Sequence, residues 1–176
     1  MSVSAVLWAT LGPVGLFLVV TGIANYMSIR WNNQRKAALR VTQADSLILT
    51  GLFGFESHRV IRALAAVQGL KPKMSFGRFS VSVDSINVCL FEGRRVPRLI
   101  LTIPLSTIRE VHDGKTYNSN GSYPTIFLAV DADGTTYDLQ LRVAGERGIL
   151  YPNGDTVRGW TERLAKAVRL AKEASP

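Results

Sequence analysis

Hydrophobic positions follow three periods in turn along this chain, and each predicts a different element. From Ala5 to Met27 the sequence AVLWATLGPVGLFLVVTGIANYM is apolar on every side, and at 1.5 Å per residue it makes about 35 Å of helix, enough to cross a hydrocarbon core of roughly 30 Å. Residues 28–45 are polar and basic and can extend that helix beyond the membrane. The run SLILTGLFGF at 46–55 is too short to span, and reads equally as a strand, a buried connector or an interfacial patch. Between Glu56 and Leu70, the apolar side chains Val60, Ile61, Leu64, Ala65 and Val67 lie close to one helical stripe that ends at Gly69, with Pro72 beyond. A short amphipathic helix is predicted there.

From Met74 the period becomes two. FSVSV precedes Asp84-Ser85, INVCLFE precedes Gly93-Arg94-Arg95, RLILTI precedes Pro104, and STIREV leads into a polar stretch from His112 to Tyr123 that reads as a loop. TIFLAVDADGTTYDLQLRV then gives two strands around Asp133-Gly134, a type I′ hairpin signal. Six strands without an intervening helix predict an antiparallel sheet. The last element is a helix over about Asp155 to Lys172, with Val157, Trp160, Leu164, Ala167, Val168 and Ala171 on one face. Trp160 and Leu164 are therefore expected in the core.

The resulting organisation is an α+β chain in four parts: a transmembrane anchor at 1–29, a basic juxtamembrane segment at 30–45, the apolar run and short helix at 46–73, and a sheet domain at 74–173. An antiparallel meander closed by one amphipathic C-terminal helix resembles the pleckstrin-homology (PH) superfold, including its bacterial and GRAM-like members. Trp160-Thr-Glu-Arg-Leu164-Ala-Lys-Ala167 looks like the helix that plugs one end of the barrel or bent sheet in that family, and Ile103-Pro104-Leu105-Ser106-Thr107-Ile108-Arg109-Glu110-Val111 resembles its strand entry. The resemblance covers roughly residues 74–172 and implies a PH-like antiparallel β-barrel or bent sheet capped by the helix. Phosphoinositide-binding members carry a lysine- and arginine-rich pattern between their first two strands; the corresponding turn here, read as Asp84-Ser85, is short and acidic and departs from it.

Charge sets the orientation. No Asp, Glu, Lys or Arg precedes Arg30, and the first basic residues, Arg30, Arg35, Lys36 and Arg40, follow the apolar segment. The positive-inside bias then puts the N-terminus outside the cell membrane and the C-terminal domain in the cytoplasm as a single-pass protein. A cleaved signal peptide, with a mature N-terminus at Asn25, competes with this reading, but it needs basic residues before its apolar core rather than after it. Of the 21 Lys+Arg and 13 Asp+Glu, the whole excess lies between residues 30 and 100. The juxtamembrane set, together with Arg94, Arg95 and Arg98 in a predicted hairpin, is thus a candidate contact for anionic lipid. Gly12, Gly15 and Gly22 share one helix face and form a candidate seat for a partner transmembrane helix.

Catalytic chemistry is sparse. His58 and His112 are the two histidines, and neither stands at a metal-ligating spacing; no cofactor is expected. His112 beside Asp113 reads as a solvated turn, Cys89 as a small buried hydrophobe, and Asn120-Gly121-Ser122 as a turn. Asp131-Ala132-Asp133-Gly134 lacks the later ligands of a calcium loop. Basic residues without interleaved exposed aromatics do not suit nucleic acid. The expected function is a non-enzymatic binding or scaffolding module, an accessory subunit of a membrane protein complex, with a peripheral anionic-lipid sensor as the alternative and an enzyme with a site hidden by folding as a third.

Overall fold

In the computed structural model, residues 3–72, 74, 78–93, 96–118, 121–145 and 151–174 are described, with backbone alone for 3–13 and 118. Helix α1 (Val3–Thr42) carries the apolar segment and continues unbroken through Pro13 and the basic stretch. Four residues, 43–46, link it to β1 (Leu47–Leu52), which α2 (Phe55–Val67) follows. The strands β2 (Arg78–Val83), β3 (Asn87–Glu92), β4 (Arg98–Pro104), β5 (Ile108–Asn118), β6 (Gly121–Ala132) and β7 (Thr135–Ala144) lead to α3 (Gly154–Glu173). A single 3-10 turn, Leu105–Thr107, separates β4 from β5.

All seven strands form one antiparallel sheet in the order β4-β3-β2-β1-β7-β6-β5. It is open, with β4 and β5 as its edges, and so is not closed into the barrel that the family resemblance allowed. The sheet also begins at Leu47 rather than at Met74: β1 lies at its centre, bonded to β2 on one side and β7 on the other. Asp84-Ser85 accordingly joins the second and third strands, not the first two. Helix α2 touches both β7 and β4. Those strands stand four positions apart, about 19 Å at the usual strand spacing, so the sheet must curl around a helix only 10–12 Å wide.

Period-two patterning places the core. Leu49, Phe79, Val81, Val83, Val88 and Leu90 point to the inner face, where Ile61, Leu64 and Ala65 of α2 and Val157, Leu164 and Val168 of α3 join them. Ile48, Cys89 and Phe91 point the other way and pack under Leu39 of α1. Both faces of β2 and β3 are therefore buried.

The Asp133-Gly134 turn has φ of 50° and 71° and joins paired Ala132 and Thr135, as the sequence predicts. The stretch from His112 to Tyr123 is no loop: its two arms are paired strands, closing from Asp113↔Ile126 to Asn118↔Gly121. His112 sits on β5 and stacks on Phe127 at 4.9 Å rather than in a solvated turn. The expected turn at Asn120 falls in part outside the described residues, and Gly121 opens β6 with φ of 130°.

Candidate functional site

Polar residues converge where α1 meets the sheet. Asn32, Arg35 and Leu39 are spaced at three and four residues and share one face of α1, and Gln43 continues the spacing just past its end. Opposite them, the outward positions of β1 and β2 carry hydroxyls, Thr50, Ser80 and Ser82. Asn32 Nδ2 donates to Thr50 Oγ1 at 3.0 Å, Arg35 Nε to Ser80 Oγ at 2.9 Å, and Ser82 Oγ to Gln43 Oε1 at 2.5 Å. Arg35 also donates to Gly93 O, Asn32 Oδ1 and Arg78 O. Its side chain is almost sealed, at 2% exposure, and burial pushes the guanidinium pKa down to about 10. The planar guanidinium suits this place because its donors diverge in a fixed fork that reaches three elements together. Every acceptor is a neutral oxygen.

The end of the sheet nearest the apolar segment is fixed by a second arginine. Arg78, the first residue of β2, donates to Ser28 Oγ at 3.1 Å and to Asn25 Oδ1 at 3.0 Å. Burial lowers its pKa, an effect that the nearby Tyr151 opposes. Tyr151 packs edge-on against Tyr123 at 5.0 Å, and Arg142 lies over the Tyr123 ring at 5.2 Å. Burial and the adjacent Tyr123 raise the Tyr151 pKa.

Because Arg35 bonds both Arg78 O and Gly93 O, the β3–β4 connection lies at this same end. It holds Val96, 79% exposed, and leads into Arg98 at the start of β4, which pairs with the buried Glu92. Leu70, Lys71 and Pro72 line a groove together with Arg98 and Leu99. Exposed aliphatics and cations thus meet where the apolar helix enters the fold.

The expected site residues separate in this arrangement. Arg30 and Arg40 are exposed, whereas Arg35 and Lys36 are buried; Arg35 is a clamp between helix and sheet, turned inward by the hydroxyls it bonds, and not a lipid contact. Lys36 lines a cleft between α1 and α3. Arg98 is exposed and ion-paired, and Arg94 and Arg95 lie outside the described residues. Gly15 and Gly22 are exposed, and a Cβ at either would meet nothing within 4 Å. Gly12 falls among the residues described by backbone alone. Leu164 is fully buried, but Trp160 is only half-buried at the margin of the core, because Val157, Thr161, Leu164 and Val168 take the innermost line of α3. Cys89 is buried beside Leu39, and burial raises its thiol pKa.

Sequence reasoning missed Asn32, Ser80, Ser82 and Arg78. Their signal was present: a polar stripe on a helix beside a strand whose outward positions alternate in serine. No family model matches the chain, and no curated protein matches its sequence.

Proposed function

We propose that this chain is a single-pass membrane protein whose PH-like domain is a non-enzymatic binding or scaffolding module, an accessory subunit of a membrane protein complex. One observation carries the reading. The apolar helix runs without a break into the fold and is locked there by Arg35 and Arg78, so span and domain move as one piece and a partner gripping the span also positions the domain. The strand order and the C-terminal helix against the sheet support the PH-like resemblance. With the N-terminus outside, the domain is cytoplasmic.

Anionic-lipid sensing is favoured by a separate observation, the basic and aliphatic rim formed by Lys71, Val96, Arg98 and Leu99 at the end next to the span. The true connection between the first two strands, residues 53–77, also carries Lys71 and Lys73 in place of an acidic turn. Attraction to an anionic leaflet is worth about 1 kcal/mol per basic residue close to the surface.

The two readings rank the same variants oppositely. On the scaffold reading, Gly15→Ile with Gly22→Ile removes membrane partners that co-purify with the full chain in mild detergent, because β-branched side chains block close helix approach. Lys71→Glu with Arg94→Glu and Arg95→Glu leaves them. Partners that survive the glycine replacements would end the scaffold reading. For the sensor, amide exchange over residues 96–99 should slow when phosphatidylglycerol is added to a phosphatidylcholine bilayer holding the full chain, and the charge reversals should cancel the slowing.

A further inference from the structure

The cleft between the tail of α1 and α3 lies at the opposite end of β1 from the rim just described. It encloses about 720 Å³ and is bounded by residues 44–46, the start of β1, the β2–β3 corner and the middle of α3. That volume falls within the roughly 300–1,000 Å³ of small-molecule sites. Three cations line it, Lys36 and Arg40 from α1 and Arg163 from α3, each on an element fixed by its own packing. Two carboxylates are also present. Asp84 is engaged within its own turn, where Oδ1 accepts from the N–H groups of Ile86 and Asn87, both at 2.7 Å. Asp45 is exposed, and with three cations against two carboxylates the lining keeps a positive balance. The half-buried Trp160 turns one part of its indole to the core and another to the cleft. Apolar Leu47, Leu49 and Ala144 complete the wall.

We propose that this cleft binds a small organic anion that joins a phosphate to a planar body of about nucleotide size. Arg40 and Arg163 donate charge-assisted hydrogen bonds to the anionic oxygens from opposite walls, while the indole of Trp160 and the aliphatic floor take the flat part. The half-exposure of Trp160 becomes intelligible on this view, because a ring wholly given to the core would offer no face to a ligand. The site needs no partner for the span and is independent of the scaffold reading.

Isothermal titration of the full chain in a non-ionic detergent, with 1-naphthyl phosphate as the probe and inorganic phosphate in parallel, tests it. Saturable binding of naphthyl phosphate is expected below about 1 mM, at least about tenfold tighter than that of inorganic phosphate. Arg40→Ala with Arg163→Ala should weaken it by about tenfold or more. Both arginines are exposed, so thermal melting should stay near that of the parent. Trp160→Leu should bring the affinity down to that of inorganic phosphate. Absence of binding at about 1 mM would overturn the site, as would binding unaffected by the double arginine replacement; equal affinity for the two phosphates would overturn the planar class of ligand.

Discussion

Arg35→Ala is expected to reduce the unfolding free energy of the full chain by about 3 to 5 kcal/mol, and to release the C-terminal half of α1 from the sheet. Truncation empties a sealed site and strands acceptors on three elements: Ser80 Oγ, Arg78 O and Gly93 O of the sheet region, and Asn32 Oδ1 on the helix itself. Each buried acceptor left unsatisfied costs about 1–3 kcal/mol, offset in part because a desolvated charge is also removed. Arg35→Lys should lose nearly as much. A lysine keeps the charge, but one ammonium cannot span acceptors held apart by the guanidinium fork. Denaturant unfolding in detergent gives the energy, and amide exchange over residues 28–43 reports the helix. A lysine variant with the parent's midpoint would show that charge alone holds the helix in place.

At the centre of the sheet, Gly51→Val should destabilise the fold by about 3 kcal/mol or more. Gly51 pairs with Phe79 across β2 and with Val143 across β7, and a Cβ there would fall inside van der Waals contact of three carbons of the Phe79 ring. Phe79 is fully buried and stacks on Phe53 at 4.4 Å, so the ring has no space into which to retreat. The smaller Gly51→Ala should be partly rescued by Phe79→Leu, since neighbours sharing one space couple rather than add. As a control, Gly154→Ala meets nothing within 4 Å at the start of α3 and should be neutral or gain up to about 1 kcal/mol from the lower entropy of the unfolded chain. If Gly51→Val melts like the parent, Phe79 does not occupy the face of β1 described above.

Elements governed by their own sequence were legible from it. The period-two runs from Phe79 onward, the Asp133-Gly134 hairpin and the amphipathic stripe of α3 each follow from side-chain direction and turn chemistry within a few residues, and each stands where the pattern put it. The polar arms from His112 to Tyr123 were misread as a loop because β5 is an edge strand, and an edge needs no apolar side chains to stay paired to β6.

Tertiary structure decided the rest. LILTGL has one apolar face and one carrying Thr50, a pattern that alone leaves strand and connector equal; it becomes the central strand because β2 and β7 satisfy its backbone on both sides. The basic residues after the apolar segment look alike in sequence, yet Arg35 is buried against the sheet while Arg30 and Arg40 stay exposed, since the angle of α1 on the strands selects which side of the helix is covered. Trp160 and Leu164 share a stripe four residues apart, but only Leu164 reaches the centre, because the curl of the sheet beneath α3 leaves the indole at its margin. Periodicity records which way a side chain points from its own backbone; what it meets there depends on segments distant in sequence, whose positions no local pattern contains.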